Sequence, residues 1–456
     1  MRTIEQHAEA LEDGRTTSRA IVEACLARIA DPAGEGARTF VTVYAEAARA
    51  GADAMDALRR AGRAPSRYAG IPVSLKDLLD VAGEATRAGS RVLADAPPAA
   101  AHAPVVARLL AAGFVPIGRT NMVEFAFSGL GINPHFGTPR APWGREGPAP
   151  GSPLGDGRIP GGSSSGAAVS VADGMALGAL GTDTGGSCRI PAAFCGITGY
   201  KPTARRVPIA GVLPLAPSLD SVGPLAPSVA CCAILDAVLA GETPAPPQPA
   251  PLAGLRLALP AALLADGLDP IVASTFERAL GRLTQAGARI MPIEVPEFAE
   301  VFAANATGGL TAAESYAWHR RLLAAHAAGY DPHIRFRIER GAAMQAADYL
   351  DVCAARARLS AAFDARTAWY DAMVLPTAPI LPVRISELDE LHAYNRVNLL
   401  SLRHTTLANF LDRCAISLPC HAPGDPPVGL MLMGERMGDA RLFAIAAAVE
   451  AALPPR

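Results

Sequence analysis

Residues Gly161–Thr203, GGSSSGAAVSVADGMALGALGTDTGGSCRIPAAFCGITGYKPT, place two glycine–serine loops on either side of a run of small apolar residues. The first loop is Gly161-Gly162-Ser163-Ser164-Ser165-Gly166 and the second is Gly185-Gly186-Ser187. Glycine doublets allow positive φ and bring amide N–H groups close to a ligand. Serines planted in such loops are candidate nucleophiles or proton carriers. A flexible Gly/Ser linker has a similar composition, but the apolar segment between these loops must be buried, which ties both to a core.

Working outward, 456 residues are enough for two or three average domains or for one large α/β domain with insertions. Half of the residues are hydrophobic and only 18% are charged, so a sizeable core is expected. The formal net charge of −2 gives no electrostatic reason to expect a nucleic-acid partner. The stretch MRTIEQHAEALEDG at the N-terminus has no apolar core of signal-peptide length and no apolar run reaches membrane-spanning length, so a cytoplasmic protein without a membrane partner is expected. The eight cysteines are irregularly spaced with no C-x-x-C pair, which argues for buried, reduced thiols rather than a disulfide framework or a zinc site. No H-E-x-x-H motif occurs, and no metal or organic cofactor is expected.

Of 41 basic residues only two are lysines, Lys76 and Lys201. Lysine differs from arginine chiefly in losing its proton readily on burial. Lys76 ends the strand-like run of IPVSLKDLLD, where burial is expected. It is either a proton acceptor or a structural ion-pair partner of Asp77 or Asp80, and composition does not separate the two.

The pattern elsewhere alternates helices and strands, the signature of a mixed or parallel sheet covered by helices. Thr17-Ser18 caps a helix with Ile21, Cys25 and Ile29 on its apolar face, and an alanine-rich helix follows over 44–60. Strands are expected at Ile71–Leu75, Phe114–Ile117 and Leu177–Thr182, with helices at Pro104–Ala112 and from Ser163 to about Asp173. Beyond a proline-rich linker at 241–254, Leu255–Leu259, the helix opened by Asp269-Pro270, and Ile290–Val295 read as a β-α-β unit. Residues 310–370 are mainly helical, strands follow at Ala372–Pro376, Ile416–Pro419 and Val428–Met433, and a helix over Asp439–Ala452 closes the chain.

Gly162-Ser163-Ser164-Ser165-Gly166 formally fits G-x-S-x-G and nominates Ser164 as a hydrolase nucleophile. That motif works on a strand-to-helix elbow, and here a Pro/Gly-rich loop over residues 139–160 precedes it instead. The stretches LEDGRTTSRAIVEACLARI, SLKDLLD, GRTNMVEFAFS, GGSSSG, GTDTGGSCRIPAAFCGITGYKPT, SLDSVGPLA, VLPTAP and PVGLMLMG together resemble the amidase signature family over nearly the whole chain. The resemblance implies a Ser–Ser–Lys triad in which Ser187 is the nucleophile, Ser163 the bridging serine after a cis Gly162–Ser163 bond, and Lys76 the base. The backbone N–H groups of Thr184, Gly185, Gly186 and Ser187 would form the oxyanion hole. The residue types suit amide hydrolysis, because an arginine at 76 could not accept a proton at any working pH.

The implied fold is one large α/β domain over residues 1–456, a mixed sheet sandwiched between helices. Within it, 1–65 form an N-terminal helical arm, 66–240 the catalytic core, and 255–456 the rest of the core with the substrate-pocket helices. The implied reaction is hydrolysis of a small-molecule carboxamide to a carboxylate and ammonia or an amine. Dimers are common in the family, and a homodimer is an expectation that the sequence itself does not decide. Asn121 and Met122 resemble family positions near the site and are pocket candidates. Arg189 could bind a substrate carboxylate or form an ion pair, Asp183 is expected to fix the loop, and Cys188 and Lys201 are expected to be structural. Pocket residues are expected within Phe302–His319 or near Tyr349.

Two other readings compete: the glutamine-hydrolysing component of a tRNA-dependent amidotransferase complex, and a non-catalytic scaffold on the same fold. Asn409-Phe410-Leu411-Asp412-Arg413-Cys414 departs from the small-residue segment usual in that component, whereas an intact triad disfavours a scaffold. The family's short Asn-Pro-Trp approach to the first loop is here Ala141-Pro142-Trp143 followed by an apparent insertion at 146–156, expected either to cover or reshape the substrate entrance or to be a tolerated surface insertion.

Overall fold

The computed structural model describes residues 2–145, 157–265 and 267–455; the insertion expected at 146–156 lies outside them. Eleven strands form one mixed sheet: β1 Phe40–Val43, β2 Pro72–Lys76, β3 Val115–Thr120, β4 Ala179–Thr182, β5 Thr198–Lys201, β6 Val222–Ala226, β7 Arg256–Pro260, β8 Arg289–Ile293, β9 Ala372–Pro376, β10 Ala415–Pro419 and β11 Gly429–Met433. Their order across the sheet is β1-β3-β2-β4-β6-β5-β10-β11-β9-β7-β8. Two parallel groups, β3-β2-β4 and β9-β7-β8, flank an antiparallel centre. Strands before and after residues 241–254 therefore share one sheet through the β5–β10 pair.

β2, β4, β5, β6, β9, β10 and β11 are buried at every position, as expected for strands covered by helices on both faces. β8 is largely exposed and carries Pro292, a residue suited to a sheet edge because it has no N–H to offer. The N-terminal helices pack onto this body. Thr17 caps Ser18–Ala30 by accepting from the Ala20 N–H, and Ile4 donates its N–H to Cys231 Sγ at the start of the Val229–Ala240 helix. Among the described residues no helix is long and apolar enough to cross a membrane.

Most of the expected elements appear within a few residues of their expected limits. The helix opened by Asp269-Pro270 runs over Pro270–Gln285 with Asp269 accepting from the Ile271 N–H, and the closing helix is Asp439–Ala452. β1, β5 and β6 and the helices Arg189–Cys195 and Val229–Ala240 are additional. The sequence reading assigns no element to TGYK or VGPLA, which glycine and proline interrupt. The structure shows why glycine stands in β5: a Cβ on Gly199 would lie 2.3 Å from the Cys188 carbonyl oxygen and 2.6 Å from Ala192 Cβ. The helix carrying the second glycine–serine loop rests directly on that strand.

Gly199→Ala should therefore push on backbone beside Ser187 and lower the unfolding free energy by about 1–3 kcal/mol, the usual cost of overpacking. Urea denaturation of the variant measures this, and an unchanged midpoint would show that helix and strand can separate freely.

Candidate active site

β2 and β4 are parallel neighbours with Leu75 opposite Leu180, so both strands finish at the same end of the sheet. Lys76 is the last residue of β2 and Thr182 the last of β4. Lys76 is fully buried, and its Nζ donates to Ser163 Oγ at 2.7 Å and to Thr182 Oγ1 at 2.8 Å. Asp77, offered by the sequence as an ion-pair partner, instead takes Arg119 at 2.7 Å, and Asp80 takes the Thr86 hydroxyl. Burial lowers the Lys76 pKa to about 7, against a smaller opposing pull that includes Asp183 and Asp220. Near neutral pH much of this amine is unprotonated and can accept a proton.

Ser163 reaches Lys76 from the first loop. The Gly162–Ser163 peptide bond is cis, the Gly162 N–H donates to Gly129 O, and Ser163 O accepts from the Val123 N–H. Ser164 is fully buried, with its hydroxyl turned to Thr182 O. The G-x-S-x-G reading thus finds its serine facing a strand end, away from any opening.

The second loop leaves β4 and enters the Arg189–Cys195 helix. Asp183 clamps its base, accepting from the Cys188 N–H, from Arg189 Nε and Nη2 and from Asn409 Nδ2. Although burial pushes this carboxyl up, Arg189 and Asn409 hold it at about 2. Thr184 donates its hydroxyl to Asp220, and Gly185 O accepts from Thr405 Oγ1. Gly186 has φ +138°, and a Cβ there would meet Thr405 Oγ1 at 2.2 Å, so only glycine fits. Asp183 N and Cys188 N have acceptors, but no acceptor among the described residues meets the N–H groups of Thr184, Gly185, Gly186 and Ser187 between them. Four successive free donors can stabilise a developing negative charge.

A cavity of about 580 Å³ opens over this loop, with Thr184, Gly185 and Ser187 in its wall. Leu215, Leu219, Val301, Phe302 and Phe410 make much of the wall apolar, and Arg337, Arg340 and Arg403 also line it. Phe302, Asn305, Thr311 and Ala312 come from the segment in which pocket residues were expected. His319 lies behind them, fully buried and bonded to the Tyr330 hydroxyl, and Tyr349 donates to Glu314.

The surroundings of the three residues nominated for substrate contact correct that role, and Arg189 takes its ion-pair alternative with Asp183. Arg189 is fully buried and spends its donors on Asp183, Thr405 O, Asn409 and Met431. Asn121 donates to Arg38 O and Gly137 O and accepts from the Met122 N–H, while Met122 is fully buried in the core. None of the three lines the cavity, because each is consumed in holding loops together. Cys188 and Lys201 are structural as expected: burial pushes the Cys188 thiol up, and Lys201 Nζ donates to Pro202 O and Arg413 O. The sequence reading missed Thr182, Thr405 and the arginines of the cavity. The only cue to Arg337 and Arg340 is their three-residue spacing after an Asp331-Pro332 helix start.

Comparison with known proteins shows the family. The family model described as Amidase matches residues 20–443, and the chain belongs to that family, the amidase signature enzymes, which act on amide C–N bonds. It is 36% identical to the 2-amino-5-chloromuconic acid deaminase of Comamonas testosteroni, over 98% of this chain and 96% of that protein. It is 33% identical to the A component of the glutamyl-tRNA(Gln) amidotransferase of Chloroflexus aggregans, over 97% of this chain and 94% of the relative. A crystal structure of an amidase superposes with a TM-score of 0.86 at 32% identity, covering 99% of this chain and all of the other.

The burial of Lys76 has a thermodynamic signature. The unfolded chain holds this proton up to its ordinary pKa of 10.5 and the fold releases it at about 7. Unfolding between those values takes up a proton, so stability rises with pH. Compared with Lys76→Met, the wild type should gain about 1.4 kcal/mol or less per pH unit from pH 7 to 10. Urea denaturation across that range measures the slope, and identical pH dependence in the two proteins would mean that the amine stays charged.

Proposed function

We propose that this protein is a serine amidase that hydrolyses a small-molecule carboxamide through an acyl-enzyme. The observation that carries the reading is the buried Lys76 amine on the Ser163 hydroxyl, beneath a loop that presents Ser187 to the cavity. Ser187 Oγ attacks the scissile carbonyl carbon and its proton passes to Ser163 Oγ, which gives its own to the unprotonated Lys76 Nζ. The carbonyl oxygen takes up negative charge against the free N–H groups of the 184–187 loop, each such donor contributing about 3–4 kcal/mol. The proton returns through Ser163 to the departing nitrogen, the C–N bond breaks, and ammonia or an amine leaves. Water then repeats the cycle on the ester, and its oxygen ends in the product carboxylate.

A cytoplasmic setting accords with eight cysteine thiols, seven of them buried. The likeness to a glutamyl-tRNA(Gln) amidotransferase component supports a second reading, a glutamine-hydrolysing member of such a complex. L-glutamine hydrolysis that rises on adding the other components would favour it over a free-standing amidase.

Ammonia release from a panel of aliphatic, aromatic and dicarboxylic monoamides tests the proposal. Ser187→Ala should abolish turnover and Ser164→Ala should retain it; the reverse pattern would restore Ser164 as nucleophile. Lys76→Arg keeps the positive charge but removes the proton acceptor, and should cost at least about 10³-fold in kcat. In the wild type, kcat/KM should fall about tenfold per pH unit below roughly pH 7 as Lys76 takes its proton. A flat profile down to pH 5 would remove Lys76 from the proton path.

A further inference from the structure

The turn that leads into β6 faces two ways. Leu215 and Leu219 stand in the apolar wall of the cavity, while Asp220 accepts the hydroxyl of Thr184, the first residue of the loop with free N–H groups. The turn is bonded to itself. The Leu215 and Ala216 N–H groups donate to the Asp220 carboxylate, and the Leu219 and Asp220 N–H groups both donate to Ala216 O at 2.8 Å. Ser221 then pairs with Asp183 by backbone hydrogen bonds in both directions and adds its hydroxyl to the same Asp183 carbonyl. Residues 215–221 are thus tied as one piece to the base of the second glycine–serine loop.

One carboxylate grips this piece from its far side. Glu314, on the Gly309–His326 helix, accepts the Ser218 N–H at 2.9 Å through one oxygen and the Ser218 hydroxyl through the other. The Tyr349 hydroxyl donates to that second oxygen at 3.1 Å, and Arg356 Nη1 donates to Ser218 O at 3.0 Å. Pro217 is exposed and Ser218 half-buried, so hydrogen bonds rather than packing locate this corner of the turn. Bonds to an ionised carboxylate are the strong ones among these. Glu314 itself does not line the cavity, although Thr311 and Ala312 on the same helix do. The Thr184 hydroxyl has no partner but Asp220 among the described residues. A path of hydrogen bonds therefore runs Glu314–Ser218, along the turn, and Asp220–Thr184.

We propose that Glu314 is a positioning residue for amide hydrolysis: through Ser218 it fixes the 215–221 turn, and through Asp220 and Thr184 the turn sets the N–H groups that receive the oxyanion. Donors of this kind act only where they are held at the place the charge will occupy, and a misplacement of about 1 Å caused far from the chemistry can cost ~10²-fold in rate. Loss of the grip falls on the transition state, because the rest of the cavity wall still binds the amide. This inference rests on the reading of Ser187 as nucleophile and of residues 184–187 as the oxyanion donors.

Kinetics with the amide of the panel that the wild type hydrolyses fastest test it. Glu314→Ala should lower kcat about 10- to 100-fold and move KM by less than about threefold. Glu314→Gln, which keeps an acceptor for the Ser218 N–H, should recover most of that loss. Ser218→Ala gives up only the hydroxyl contact and should fall between them, and it carries the test if Glu314→Ala does not fold. Thr184→Val should cost the Glu314→Ala protein much less than it costs the wild type, since both act on one path. Hydrogen exchange read by mass spectrometry gives an answer that needs no substrate. Peptides covering 182–188 and 215–221 should exchange faster in Glu314→Ala, while those from β2 and the Val229–Ala240 helix keep the wild-type rate. Wild-type kcat in folded Glu314→Ala, Thr184→Val and Glu314→Ala losses that simply multiply, or unchanged exchange over 182–188 overturns the proposal. Turnover that persists in Ser187→Ala would instead overturn the nucleophile, and the exchange over 182–188 would still judge the grip of Glu314 on its own.

Discussion

A lysine amine taken out of water with no carboxylate of the described residues within ion-pair distance is the constraint on which the rest of this structure depends. Lys76 is fully buried, with two hydroxyls as hydrogen-bond acceptors in place of a counter-ion. Such an amine is tolerated because it can shed its proton, and shedding the proton makes it a base. The penalty falls on a rigid place: the ends of two parallel strands buried along their full length. A looser frame would let water in or let the amine turn outward, and the perturbation would vanish.

The second loop solves the complementary problem of keeping donors free. Backbone N–H groups in a buried turn normally find acceptors, and four in a row without them need a loop that cannot collapse. Asp183 provides the anchor, holding Arg189, Asn409 and the Cys188 N–H at once, while Thr405 and Asp220 fix Gly185 and Thr184 from either side. Charge is matched at this anchor and, among the described residues, left unmatched in the cavity above it, where arginines face apolar walls. The contrast separates groups that hold the loop from groups available to a ligand.

Much of the architecture was legible in the chain. Long, capped segments such as Ser18–Ala30 and Pro270–Gln285 follow from local side-chain chemistry, in which a threonine or aspartate accepts the first free N–H. β5 and β6 were not legible, because each is short and carries a glycine whose place only tertiary contacts set, Gly199 beneath the Arg189–Cys195 helix and Gly223 against the Tyr200 carbonyl. Asn121 and Met122 were pocket candidates through the family resemblance, and Arg189 was left between a substrate carboxylate and an ion pair, yet all three are consumed inside the fold.

By itself the sequence determined which residues can carry the chemistry. Two lysines among 41 basic residues, and serines set in glycine doublets, are properties of composition and local backbone freedom, and both survive in the unfolded chain. Only the tertiary structure decided which charges are paired. Arg189 and Arg337 are the same residue type, and each lies on a helix. One is neutralised by Asp183 and the other faces an open cavity, because pairing depends on distances that exist only once strands and helices far apart in the chain have packed.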